Sequence, residues 1–196
     1  AAPQKTPATL ADTKGQTLAR WYEGPVRYIL TRREEKEVRT LREDAVRSEF
    51  IRTFWRKRDP TPETAENEAR IAFWRRVVES NSLFQDSPRP GWMTDRGRIY
   101  ILVGAPNEIQ EDTNYNTRDR TVSGRGLTRW IYEGALRSRG ISGTFIVPFV
   151  RGNDGEYNLS ASAQFSSPAF DPMNPYEAQT PQIARIQSTF DYGAGD

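Results

Sequence analysis

The hydrophobic period of this 196-residue chain changes once along its length, and that change limits the folds open to it. Up to about Asn81 apolar residues recur at helical spacing. Beyond the Ser- and Pro-rich stretch Ser82–Pro90 they come in short extended runs bounded by Gly and Pro. A segment with one period does not settle as the other structure, so helices are predicted first and a sheet second. Thr31-Arg32-Arg33-Glu34 has the S/T-x-x-E spacing of a capping box and opens a helix predicted to run to about Lys57. Val38, Leu41, Ala45, Val46, Phe50 and Phe54, with Ile51 and Trp55 beside them, form its apolar face. Asp59-Pro60 stops it, because the residue before a proline avoids the helical region. Thr61-Pro62-Glu63 predicts the restart of a second helix that buries Ile71, Phe73, Trp74, Val77 and Val78 and ends at Ser80-Asn81. So short a link predicts a helical hairpin or corner. Ahead of the pair, Leu18, Trp21 and Tyr22 fit a short helical turn, and Val26–Leu30 a short strand or extended link.

Four strands are predicted after the change of period. They are Arg98–Val103, closed by Gly104-Ala105-Pro106, then Trp130–Tyr132, Gly143–Val150 and Tyr157–Leu159. Gly152-Asn153-Asp154-Gly155 predicts a hairpin between the last two, and the polar stretch Glu111–Arg129 reads as a loop. Residues 1–17 read as a disordered leader, 18–160 as one domain and 161–196 as an extended acidic tail. In that tail Arg185 stands against Asp171, Glu177, Asp191 and Asp196, a formal −3. The fold class is therefore α+β: an N-terminal helical pair packed on a mainly antiparallel sheet of about four strands, with an extended C-terminal tail.

The chain has no His and no Cys. That removes disulfides, thiolate nucleophiles, imidazole bases and every metal site built on imidazole or thiolate. Its 28 basic and 26 acidic residues nearly cancel, and most Arg residues have acidic neighbours, so no nucleic-acid partner is expected. There is no apolar run long enough to span a membrane, which leaves peripheral association through a partner. Asp112-x-Asn114-x-Asn116 opens like a calcium loop, yet Thr117 stands at the turn-glycine position and Ser123 at the bidentate-acid position. Arg118, Arg120, Arg125 and Arg129 are an isolated basic group. Neither metal nor cofactor is predicted. Chemistry, if any, would fall to paired carboxylates among Glu108, Glu111, Asp112 and Glu133. The start Ala1-Ala2-Pro3-Gln4 suits a mature end left by removal of an export signal, and equally an arbitrary start.

The run from Gly91-Trp92-Met93-Thr94-Asp95 through Arg96-Gly97-Arg98 to Gly104-Ala105-Pro106 resembles the GWxTD domain family of bacterial extracytoplasmic proteins. The resemblance extends in order through Val26–Thr31, Phe50–Pro60, Asn67-Glu68, Asn81 with Phe84, Trp130-Ile131-Tyr132 and Gly155–Leu159, covering about Leu18 to Ser160. Arg151 departs from the acidic residue of the family pattern. The family has no established activity; the resemblance implies export, and hence a periplasmic or extracellular location. A fainter likeness joins Gly104-x-Pro106 and Trp130-x-Tyr132 to small lipoproteins of outer-membrane assembly, whose segment before the glycine is helical where this one reads as strand.

Thr94-Asp95-Arg96-Gly97 reads as a turn in which Thr or Asp bonds nearby amides and Gly97 takes a positive φ. Trp92 would then bury near Trp55 or Trp74, and Asp95 would meet an Arg from the Arg56–Asp59 corner. The other reading is a surface pocket with Trp92 as platform and Asp95, Arg96 and Arg98 as polar contacts. The candidate interaction residues are thus Trp55, Arg58, Asp59, Trp92, Thr94, Asp95, Arg96 and Arg98. The expected function is a non-enzymatic extracytoplasmic interaction or scaffold module. It would dock on another protein or an envelope assembly through this aromatic and Arg-rich surface or a sheet edge, with the tail as a second contact. The alternative is a carboxylate-dependent hydrolase acting on a glycan or peptide.

Overall fold

A computed structural model describes residues 18–116, 124–134 and 143–160, with the side chains of all but 116, 124 and 125. The expected leader and tail, the calcium-like loop beyond Asn116, Arg118, Arg120 and the Arg125 side chain lie outside the described residues. The described chain is α+β and forms two compact units, 18–77 and 78–160.

The first unit opens with two 3-10 turns, Leu18–Glu23 and Pro25–Tyr28. Val26–Leu30 is therefore not a strand: Pro25 sets the helical φ, and Val26, Tyr28 and Ile29 are all buried in the turn that follows. Thr31 then caps α1 (Arg32–Thr40) as its spacing predicts. The Glu34 N–H donates to Thr31 Oγ1 and the Thr31 N–H to Glu34 Oε2, each at 3.0 Å. The helix expected to continue to Lys57 instead breaks at Leu41, and α2 occupies Asp44–Arg56. No Gly or Pro causes the break. Arg47 reaches back across it: its guanidinium donates to the freed Leu41 carbonyl at 2.8 Å and to the Asp44 carboxylate at 2.6 Å.

Nor does the next helix begin at Thr61. Asp59 accepts from the Thr61 N–H at 3.1 Å, forming a turn, and α3 runs Glu68–Leu83. Its cap is Asn67, which accepts from the Arg70 N–H at 2.8 Å and donates to the Trp55 carbonyl at 2.7 Å. The Thr61 hydroxyl, and then that of Thr64, bond the exposed Glu68 carboxylate and hold its pKa below the ordinary value. The core is a chain of edge-on or tilted rings, Trp21 to Phe54 at 5.0 Å, Phe54 to Trp55 at 5.1 Å and Trp55 to Phe73 at 5.5 Å.

The second unit begins within α3, after Val77. A 3-10 turn, Gly91–Met93, leads into α4 (Asp95–Val103). The expected strand at Arg98–Val103 is thus a helix. Ile99, Ile101, Leu102 and Val103 are all buried, so the segment is apolar on every side and loses the polar stripe that marks a surface helix. Its β-branched content then mimics a strand. Gly104, at φ +101°, ends it.

The sheet is an antiparallel meander in the order β1 (Glu108–Asn116), β2 (Gly124–Glu133), β3 (Thr144–Gly152), β4 (Tyr157–Leu159). Four strands form as expected, but the first is not the expected one. Glu108–Asn116 falls largely in the stretch read as a loop, because an edge strand held by main-chain pairing needs no apolar face. The β3–β4 hairpin turns at Gly152–Gly155 as predicted, with Gly155 at φ +85°. Phe84 packs 5.6 Å from Trp130, which meets Phe149 at 4.9 Å, and the Tyr132 hydroxyl donates to the Gly104 carbonyl at 3.0 Å.

Asn67→Ala removes the α3 cap and one of the hydrogen bonds to the Trp55 carbonyl, which keeps its bond from the Arg58 N–H, so urea denaturation is expected to show a loss of about 1–2 kcal/mol. Asn67→Asp keeps the cap and is expected to lose less.

Candidate functional site

The candidate residues fall into two groups, one in each unit. In the first unit Arg58 and Glu34 form a two-armed pair at 2.9 and 2.7 Å, with side chains only 7% and 14% exposed. Arg58 also donates to the Ile29 and Phe54 carbonyls, and its guanidinium lies 3.7 Å from the centre of the Phe54 ring. Burial pushes the Glu34 carboxyl upward, but bonds from Arg58 and Thr31 outweigh it and hold the pKa below its ordinary 4.5. Trp55 is buried among Phe54, Phe73 and Trp74. Asp59 makes the turn already described. Each side chain is committed inside the fold.

Glu34 also lines a groove of about 240 Å³ with Glu37, Glu49, Leu41 and Phe50. That volume is below the ~300–1,000 Å³ of ordinary ligand pockets.

In the second unit the signature builds the start of α4. Gly91 lies against the preceding helix so closely that a Cβ there would sit 2.0 Å from the Ser80 carbonyl oxygen. One on Gly97 would sit 1.9 Å from the Gly91 carbonyl oxygen. Gly97 is therefore needed for close approach. It does not adopt the positive φ expected of it. Trp92 is buried and its N–H donates to Asn81 Oδ1 at 3.0 Å. Thr94, 1% exposed, accepts from the Gly97 N–H at 3.0 Å as N-cap and donates to the Gly91 carbonyl at 2.7 Å. Both of its hydrogen-bonding roles are filled.

Asp95, in the first turn, accepts from the Leu159 N–H at 2.8 Å and lies 3.3 Å from Arg98. It ties β4 to α4, a role that the expected Arg56–Asp59 partner would not have supplied. Arg96 reaches both carboxylate oxygens of Asp86 and lies over two rings, 5.0 Å from Phe84 and 4.4 Å from Tyr157. Glu156, buried beside Tyr157, accepts from Ser87 at 3.0 Å and from Arg89.

Asp86, Ser87 and Glu156 were not singled out as functional residues from sequence. Glu156 does stand in the Gly155–Leu159 segment of the family pattern, but nothing local signals that an acid in a hairpin is buried. The four acids considered for hydrolysis lie along the sheet: Glu108 and Glu111 are exposed on β1, Asp112 accepts from the Asn114 N–H at 3.1 Å, and Glu133 is exposed at the end of β2. Among the described residues no group of His, Cys, Asp or Glu is arranged to hold a metal ion.

Two sets of substitutions separate these roles. Glu34→Gln leaves Arg58 buried without a counter-charge and is expected to cost about 3–5 kcal/mol. Because the folded pKa of Glu34 is lowered, its contribution is full above the unfolded value and is lost as pH falls through the folded one. Urea midpoints between pH ~6 and ~2 should therefore fall less steeply in Glu34→Gln than in the parent. Thr94→Ala is expected to cost about 1–2 kcal/mol, with Thr94→Ser restoring most of it. Asp95→Ala should cost about 1–3 kcal/mol and speed hydrogen exchange at the Leu159 amide, which a solvent-facing pocket residue would not do.

No curated protein and no solved structure matches the chain. The family model of the GWxTD domain matches residues 16–176, past the Ser160 limit read from the motifs. With the signature intact at Gly91–Asp95 and most of its length matched, the chain belongs to the GWxTD domain family.

Proposed function

We infer that the chain is a non-enzymatic interaction or scaffold module, acting outside the cytoplasm as an accessory subunit of an envelope assembly. The observation that carries this reading is how the signature spends its polar groups. Thr94 caps a helix, Asp95 holds a strand amide, and Arg96 is bound by Asp86 and two rings. Those groups serve to keep a surface in shape, which is what a docking module requires of them.

The extracytoplasmic location rests on what the family resemblance implies. The helix before Gly104 also brings the chain one feature nearer to the small lipoproteins of outer-membrane assembly, whose corresponding segment is helical. No helix among the described residues is long and apolar enough to cross a membrane, in keeping with attachment through a partner.

Crosslinking in intact cells that produce the chain at its native level tests the reading. The expected result is one dominant crosslinked species, recovered with the envelope fraction, containing a second protein. A chain that stays monomeric under those conditions overturns it. So does a purified chain that cleaves a glycan or peptide and loses that activity when Glu108 or Glu111 is changed to Gln.

A further inference from the structure

We propose that β1 is a docking edge that takes an extended, basic segment of another protein as a fifth strand. The inference rests on the reading of the chain as an interaction module and names the surface and the chemistry of its partner. The sheet order leaves β1 and β4 at the edges, and among the described residues β1 pairs only with β2. β4 is three residues long; β1 is nine, contains no proline and lies almost wholly in solvent. An edge of that length presents a row of unpaired N–H and C=O groups to a further strand.

Register and side chains narrow the site. Pairing with β2 is regular from Glu108 through Asp112 and is interrupted between Asp112 and Asn116, so the regular edge spans Glu108–Asp112. In that stretch Ile109 is 53% exposed although it pairs with Trp130, which is 3% exposed and pairs in turn with Val147. An apolar row thus crosses the sheet and stops unfinished at the edge. An apolar side chain on an added strand would continue it.

Charge selects the occupant. Glu108, Glu111 and Asp112 stand within five residues with no base among them, and no ion pair engages them among the described residues. A second copy of the chain would set these acids against themselves, and the 161–196 segment carries a formal −3, so both are disfavoured. Glu108 and Asp112 share the face opposite to that of Ile109, so a strand alternating Lys or Arg with apolar residues sets its bases beside these two acids and its apolar residues beside Ile109.

The test uses the full chain and a short capped peptide of about eight residues alternating Lys with Val. Two control peptides are needed: one with Glu in place of Lys, and one with the original sequence N-methylated at alternate residues. The expected result is saturable NMR shifts confined to Glu108–Asp112 and its β2 partners, with slowed exchange of β1 amides. Binding should be roughly tenfold weaker for the Glu peptide, and absent for the N-methylated one. In the double variant Glu108→Lys, Asp112→Lys, which changes the two acids on the charged face, the preference between Lys and Glu peptides should reverse while the melting temperature holds. Equal binding of the N-methylated peptide, which leaves charge without strand pairing, overturns the proposal. So do shifts located elsewhere, no saturable binding, or β1 shifts that depend on protein concentration without peptide. A crosslinked complex that survives the double variant overturns the docking edge alone, whereas a failure to find any complex overturns the module reading.

Discussion

The second unit depends on contacts that only glycine permits. The backbones of Ser80, Gly91 and Gly97 come together so closely that a single Cβ at either glycine would fall about 2 Å from a carbonyl oxygen. This approach brings Thr94 over the Gly91 carbonyl and beneath the Gly97 amide, where it caps α4. Asp95 follows by one residue and faces the Leu159 amide, and Arg96 follows by two and faces Asp86. The order of the signature residues is thus the order in which one helix start meets a preceding turn, a strand and a loop.

The first unit uses a different device for the same purpose. Glu34 closes the capping box of α1 and binds Arg58, which also takes two main-chain carbonyls and lies on Phe54. A buried charge pair is a weak source of net stability, but one whose two guanidinium arms and both carboxylate oxygens are engaged penalises any other arrangement of its neighbours. In both units the arginines that looked from sequence like surface contacts are spent inside. The acidic β1 edge, by contrast, lies exposed, and a near-neutral total charge conceals it.

Much of the scaffold was legible in short stretches of sequence. Thr31-x-x-Glu34 is a contiguous pattern whose geometry is settled within one turn of helix, and the Gly152–Gly155 hairpin is similarly local. The signature was legible as a motif, and Gly97 was rightly marked as special for the wrong reason: the space around it matters, and its φ does not. Its partners were not legible, because Asp95 and Leu159, or Arg96 and Tyr157, lie some 60 residues apart and share no local spacing.

The sequence by itself determined the α+β class, the Thr31 cap, the Gly152–Gly155 turn, and the absence of thiol and imidazole chemistry. Each of these depends on residue identity or on neighbours within a few positions. Only the tertiary structure decided that Asp95–Val103 is a helix, that α1 and α2 are separate, and that Glu108–Asn116 is a strand. Each has its own physical reason. Burial on every side erases the helical period of α4, a guanidinium six residues on takes the carbonyl freed at the break before α2, which no capping spacing announces, and main-chain bonds to a neighbour hold β1 without help from its side chains.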